Sequence, residues 1–419
     1  MIVGRFVGMI LAAWMVLLAP YPAFAAPGKS AAEINALFQT WLQEQFWPVA
    51  MKQGIDKAIF DAAFAPVRLK LDLPDLVPPG SPPPKNTKQS QAEFSAPGPY
   101  FSEKKLSDLA SRGKALARTH AALLKKIEKT YGVPASVILA IWGRETNFGT
   151  VTGTNDAMSV LATKAFMSTR PELFQKELLA ALHILQSGKA SEKQMRGSGA
   201  GAMGQPQFMP SSYLKYAVDF DGNGSADIWN STPDSLASIA NYLKQKGWQA
   251  GWNWGVEVTI PDFVSCAQEG PDLARPLADW KAMGIARTDK SPFPAWQTQA
   301  PTMMLVPAGT HGPAFLVSPN FYVIKEYNTS DLYALFVGNL ADRIAGDSGR
   351  FSAPFGDVGK MLRSDIAAMQ RSLEKRGKDV GGSDGFPGYK TRREIGRFQE
   401  SLGLKASCFP EPGLKTLFK

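Results

Sequence analysis

The sequence predicts a mainly helical (α+β) protein, on three observations. Apolar residues recur at helical spacing through residues 30–70, 103–187 and 233–246. Short β-rich pieces, Thr302–Val306 and Phe315–Val317, are confined to the stretch 300–347 beside a helix near 330–345. A further helical unit follows residue 360, after a shift in composition.

The elements follow in order. Phe38, Leu42 and Phe46 are spaced by four, as are Ile55, Ile59 and Ala63; Pro48 lies between the two sets and is expected to separate two helices. Pro78 to Pro84 breaks the pattern, and the tract to about Gln91 reads as a surface loop. One long helix is expected over Glu103–Thr130, with Ser102 as N-cap and Leu106, Leu109, Leu116, Leu123, Leu124 and Ile127 as its buried stripe. Tyr131-Gly132-Val133 makes a turn, and Pro134 suits the first position of the next helix, which carries Val137 to Trp142 and ends near Glu145. The unit over 360–419 has helical runs at 362–376 and 391–401 around the glycine-rich segment Gly377–Gly388, which places a domain boundary near 350–358.

Length and composition fit a globular protein of two or three domains: 419 residues, 44% hydrophobic and 20% charged. Arg5, the apolar run Met9–Leu18 and Ala23-Phe24-Ala25 read as an export leader, residues 1–25, cleaved after Ala25. The apolar run is shorter than the about 20 residues a membrane span needs. A net charge of +9 on an exported chain suits an anionic polymer, and no dense basic patch with interleaved aromatics points to nucleic acid. Cys266 and Cys408 are too few for a disulfide scaffold; they lie in what read as different domains, so inert burial is expected, with a single bridge as the alternative.

Three stretches carry chemistry. Glu145 ends a largely apolar helix beside Trp142 and Phe148, surroundings that favour the protonated form an acid catalyst needs; a solvated glutamate paired with Arg144 is the bland alternative. In Gly197–Phe208, small residues let a ligand approach the backbone, while Gln205 and Gln207 offer amides to hydroxyl and acetamido groups. Gln205 and Pro206 stand where a phosphate loop needs Lys and Ser/Thr, which argues against a nucleotide, and no organic cofactor is expected. Asp219, Asp221, Asn223, Ser225 and Asp227 occupy positions 1, 3, 5, 7 and 9 of a calcium-type loop with Gly224 at position 6. Position 12 is Asn230 rather than Glu, so Asp234 is the substitute carboxylate; the alternative is a turn-rich loop bonded to its own backbone. His120, His183 and His311 have no metal spacing.

Tyr131-Gly132-Val133-Pro134, Ile141 to Gly149, Gly197 to Tyr213, Asp219 to Tyr242, and Phe321 to Ile324 with Tyr327, Asn328 and Ser330 appear in this order along the chain. In that order they closely resemble the MltB-like family of lytic murein transglycosylases. Met369 to Leu373, Asp384-Gly385, Gly388, Thr391-Arg392 and Phe398-Gln399 resemble a three-helix peptidoglycan-binding domain. The resemblance implies a lysozyme-like catalytic domain with an EF-hand-like loop over 26–350 and the binding domain over 351–419. It implies non-hydrolytic cleavage of peptidoglycan glycan strands in the bacterial periplasm, by a soluble or loosely wall-associated enzyme, with Glu145 as acid and then base. It places Ser198, Gln205, Gln207, Asn241, Tyr242, Tyr327 and Tyr333 along the sugar cleft. Asp219, Asp221, Asn223, Ser225 (through its carbonyl) and Asp234 would hold a structural Ca²⁺. Two features depart from the pattern: Gly199 stands where the family often has Trp, and the tract Pro82–Gln91 reads as an insertion.

Overall fold

The computed structural model describes residues 29–82, 97–347 and 349–418. The leader read over 1–25 and the tract from Pro83 to Gln91 lie outside them.

Helix α1 (Ala31–Trp41) starts from a reciprocal cap: the Glu33 N–H donates to Ser30 Oγ at 3.3 Å, and the Ser30 N–H donates to Glu33 Oε2 at 2.7 Å. A π-helical turn, Leu42–Phe46, leads directly into α2 (Trp47–Lys52). Pro48 therefore does not separate two helices. It sits in the first turn of α2, where a missing N–H is tolerated, and the break comes at Gln53–Asp56, before α3 (Lys57–Phe64).

After α4 (Pro97–Tyr100) the expected long helix is two: α5 (Glu103–Thr119) and α6 (Ala121–Tyr131). The bend is at His120, with φ −103° and ψ 21°. It lets Leu106 and Leu109 of α5 and Leu124 and Ile127 of α6 all reach one core. Ser102 holds the N-cap position of α5 without a side-chain bond. Helix α7 (Ala135–Thr146) runs through the centre, with every residue from Val137 to Gly143 buried. Helices α8 (Ala157–Met167) and α9 (Pro171–Gln186) pack on each other, and α10 (Pro210–Tyr216) and α11 (Thr232–Gln245) complete this side. A two-residue ladder pairs β1 (Asn155–Asp156) with β2 (Arg196–Gly197).

Four further strands form an antiparallel sheet: β3 (Gly255–Thr259), β4 (Ala286–Arg287), β5 (Met303–Leu305) and β6 (Ala314–Val317), in the order β4-β3-β6-β5. Alternation along the strands makes the sheet a partition. Met303, Leu305, Phe315 and Val317 join the main helical core, while Val258, Met304 and Leu316 join a second core. That second core includes Trp280 of α12 (Leu277–Ala282), Cys266 and Cys408. Helices α13 (Pro319–Lys325) and α14 (Asp331–Ala345) follow; α14 packs against both α5 and α7.

Residues 361–418 have a small core of their own, Met361, Ile366, Met369, Leu373, Val380, Ile395, Leu414 and Phe418. It is built by α15 (Arg363–Lys375), α16 (Tyr389–Ser401) and a 3₁₀ segment, Pro412–Phe418. This unit is fastened to the rest. Cys266 and Cys408 form a disulfide, against the expectation of separate inert burial. The Thr310 N–H donates to Ser407 O at 2.9 Å. Among the described residues, no helix is long and apolar enough to cross a membrane.

Burial has a measurable consequence at Asp342 of α14. Its carboxyl accepts from Trp254 Nε1 at 2.9 Å, yet desolvation pushes its pKa up to about 7. The folded state therefore holds a proton that the unfolded chain releases from about pH 4, so stability should fall as pH rises from about 4 through about 7. In thermal melts, Asp342→Asn should flatten that fall; an unchanged slope would contradict this account.

Candidate active site

Glu145 is the next-to-last residue of α7, placed there because the apolar run from Val137 to Trp142 anchors the helix in the core. The helix stops at Asn147, whose φ of 51° is left-handed; Phe148 follows at φ 61°, a conformation bulky side chains seldom adopt. Gly143 makes room for this reversal: a Cβ there would meet the Phe148 ring at 2.6 Å. The strained corner thus folds the chain back over the helix end that carries the carboxyl.

The Glu145 carboxyl is raised above the usual carboxylate range by burial. Two groups act against that shift. Tyr333 Oη donates to Glu145 Oε1 at 2.5 Å, and the neighbouring Arg144 supplies positive charge. Arg144 is held by aromatic faces: its guanidinium lies 5.3 Å from the Tyr100 ring centre, 5.4 Å from Phe336 and 5.8 Å from Tyr333. Its Nη2 donates to Tyr100 Oη at 2.8 Å. A carboxyl whose hold on its proton is strengthened by burial, with one hydrogen bond and one cation ready to stabilise its anion, can give a proton and take one back.

A cavity of about 600 Å³ opens beside this carboxyl, lined by Glu145, Arg144, Asn147 and the α5 residues Lys105, Asp108 and Arg112 among others. Sequence reasoning missed the α5 wall and the aromatic cradle of Arg144. No local motif marks them, because they meet only through tertiary packing; amphipathic spacing on α5 identifies its buried stripe but not what its polar face looks onto.

The other predicted residues group unevenly. Gln205 braces α7 instead of leaving its amide open: Trp142 Nε1 donates to its Oε1 at 3.0 Å, and its Nε2 donates to Trp229 O at 3.1 Å. Thr146 Oγ1 also donates to Gln205 O at 2.8 Å. Gln207, with φ 54°, donates to Thr152 O at 3.1 Å and Gly204 O at 2.8 Å. Ser198 Oγ accepts from the Ala200 and Ala202 N–H groups, both at 3.3 Å. Tyr327 Oη donates to Pro206 O at 2.7 Å and its ring lies 4.8 Å from that of Tyr242, whose hydroxyl donates to Glu326 O at 2.6 Å. Asn241 faces elsewhere, bonding Tyr216 O at 2.9 Å and Gln245 at 3.1 Å.

Away from the groove, carboxylate oxygens of Asp219, Asp221 and Asp234 lie within 4.8 Å of one another. Asp234 is fully buried and accepts N–H groups of Phe220, Asp221 and Asp227. Backbone N–H groups of Gly224, Gly222 and Asn223 bond Asp219 and hold its carboxyl below the usual range. Asp227 turns away, to the N–H groups of Trp229 and Asn230. Asn223 Oδ1 accepts from the Ser225 N–H, and Ser225 O from the Asp227 N–H, both at 3.0 Å.

A helical body around a central helix that ends in a half-buried acid is that of a lysozyme-like enzyme domain. A family model described as "Transglycosylase SLT domain" matches residues 37–342, and the chain belongs to that family. It is 34% identical over 223 residues to membrane-bound lytic murein transglycosylase B of Escherichia coli (strain K12), a match covering 53% of this chain and 60% of that relative. The match thus spans less than two thirds of that relative's length. SltB3 from Pseudomonas aeruginosa, solved in complex with NAG-anhNAM-pentapeptide, superposes with TM-score 0.80 at 39% identity, covering 91% of this chain and 99% of that one. The Escherichia coli lytic transglycosylase Slt35, solved in complex with calcium, gives TM-score 0.50 at 30% identity, covering 59% and 78%.

Proposed function

We propose that this protein is a lytic murein transglycosylase of the bacterial periplasm. It cleaves the β-1,4 bond between N-acetylmuramic acid and N-acetylglucosamine in peptidoglycan without water. The observation that carries this reading is the half-buried carboxyl of Glu145, bonded by Tyr333 at the edge of an open groove and raised above the usual carboxylate range by desolvation.

With Oε1 taken by Tyr333, the proton rides on Glu145 Oε2 and passes to the glycosidic oxygen as the C1–O bond breaks. Tyr333 and Arg144 stabilise the carboxylate left behind. That carboxylate then accepts the proton of the muramyl 6-hydroxyl, whose oxygen bonds to C1. A 1,6-anhydromuramyl end forms and Glu145 is protonated again, ready for the next cycle. Ser198, Gln207, Tyr242 and Tyr327 are the residues we assign to the glycan; Tyr333, enclosed behind them, acts on Glu145, and Gln205 acts as a brace. SltB3 was solved with NAG-NAM-pentapeptide as well, which favours strands that carry peptide stems as the substrate here. Product mass tests this reading: sacculi incubated with the protein should release muropeptides lighter by one water than hydrolysis products. Asp108 shares the groove and supports the rival reading, a hydrolase with a second carboxylate activating water; hydrated reducing ends would establish that instead.

Calcium fits the Asp219–Asp234 loop. Three carboxylates converge there with backbone N–H groups as their main neighbours, a donor set of hard oxygens that suits this ion. Asp219, Asp221 and Asp234 would hold it, with Asn223 and the Ser225 carbonyl, and its role is to stiffen the loop before α11. Calcium should raise the melting temperature, and Asp221→Asn should abolish most of that rise; a calcium-independent melt would contradict the assignment. Residues 26–350 are the catalytic domain in this reading, and 351–419 hold the wall polymer.

A further inference from the structure

We propose that Arg392, in the C-terminal unit, is a positioning residue for the active site, acting through Asp331 on Tyr333 and so on Glu145. The proposal rests on the reading of Glu145 as the acid.

Arg392 of α16 is buried and reaches across to the catalytic body. Its Nε donates to Glu269 Oε2 at 2.9 Å, and its Nη2 donates to Glu269 Oε1 at 2.6 Å and to Asp331 Oδ2 at 2.8 Å. Nη1 is held by Pro387 O at 2.8 Å. The other oxygen of Asp331 accepts from Lys325 Nζ at 2.6 Å. Two cations and two carboxylates therefore close a buried network, with Glu269 fully enclosed.

The place of this network gives it its meaning. Lys325 is the last residue of α13 and Asp331 the first of α14, so the network grips both ends of the connection 326–330. That connection bears Tyr327, bonded to Pro206, and Glu326, whose carbonyl holds Tyr242. Within the first turn of α14 stands Tyr333, whose N–H donates to the Ser330 cap at 3.3 Å and whose hydroxyl donates to Glu145. Attachment of the unit alone does not require this arrangement, since the Cys266–Cys408 disulfide already ties the two parts. Arg393, next along α16, also bridges them, to Asp272 at 2.7 Å, but has no bond to α14 among the described contacts. A buried bidentate guanidinium sets angle as well as distance, and lysine cannot reproduce it.

The test uses the full-length protein and reads kcat/KM for strand cleavage against pH, with a thermal melt of each variant. The basic limb reports the pH at which the free enzyme loses its acid proton. The groups facing Glu145 are Tyr333 and Tyr327 on the α13–α14 side, Arg144 on its own helix, and Lys104, Lys105, Asp108 and Arg112 across the groove; the change at Arg392 replaces none of them. If Arg392 positions Tyr333, Arg392→Lys weakens the Tyr333 bond, Glu145 keeps its proton to higher pH, and the limb moves up. Tyr333→Phe should move it the same way. The rate should fall roughly tenfold, the equivalent of one hydrogen bond to a charged group. Arg393→Ala should lower the melting temperature and leave the limb in place. A limb unmoved in Arg392→Lys, whatever its melting temperature, overturns the proposal. If that variant does not fold, Asp331→Asn decides by the same criterion. If Glu145→Gln retains activity, the underlying reading fails instead, and the two failures are thereby told apart.

Discussion

Glu145→Gln should lower the rate of anhydromuramyl product release by roughly a hundred- to ten-thousand-fold, the range general acid–base catalysis contributes. Glutamine keeps the shape and can still accept from Tyr333, but it has no transferable proton for the leaving oxygen and no basic oxygen for the 6-hydroxyl. Both halves of the cycle are lost together. The same change should not destabilise the fold. Burial holds the Glu145 carboxyl above its ordinary range, so ionising it costs the native state more than the unfolded chain, and a neutral amide avoids that cost. A glutamine variant that melts at the wild-type temperature or higher, yet releases no product, separates chemistry from folding. Activity within tenfold of wild type would remove Glu145 from the mechanism.

The second large effect is expected at Gly153. Its φ of +84° is left-handed, and a Cβ there would stand 2.2 Å from Gly197 O and 2.8 Å from Ser198 N. The backbone conformation alone costs an ordinary residue about 1–2 kcal/mol. The overlap is with backbone, which cannot swing aside, so Gly153→Ala must displace the start of the Gly197–Phe208 loop. We expect a stability loss of roughly 3 kcal/mol or more, together with weakened substrate binding. Gly54→Ala is the control: its φ is +80°, but nothing lies within 4 Å of the added carbon. That variant should show the conformational cost without the loss of activity. Equal effects from the two would show that steric contact with the Gly197–Ser198 backbone is unimportant.

Much of the helical body was legible because its apolar stripes are local. α7 could be placed from Val137 to Glu145, and with it the carboxyl at its end. The bend at His120 was not legible, since neither proline nor glycine marks it and packing alone turns the chain. Pro48 misled for the opposite reason: a strong local breaker falls in a first turn that tolerates it. The disulfide was hidden by the apparent domain boundary, which made Cys266 and Cys408 look remote although the fold brings their Cα atoms to 6.1 Å. Within the site, Gln205 shows what residue type cannot reveal. An amide in a glycine-rich loop suits a sugar, but here Trp142 and Trp229 engage both of its ends. Arg392, Glu269 and Asp331 share no local pattern; only the fold, with α16 packed against the 3₁₀ turn Cys266–Gln268 just before Glu269, brings them together.

In the proposed reaction Glu145 drives cleavage with the muramyl 6-hydroxyl, not water, as nucleophile. The most direct measurement is digestion of sacculi in water enriched in heavy oxygen, followed by mass analysis of the new muramyl ends. The expected ends carry no label and are lighter by one water. Ends that carry one heavy oxygen would show that water attacks C1 and would contradict the proposed reaction.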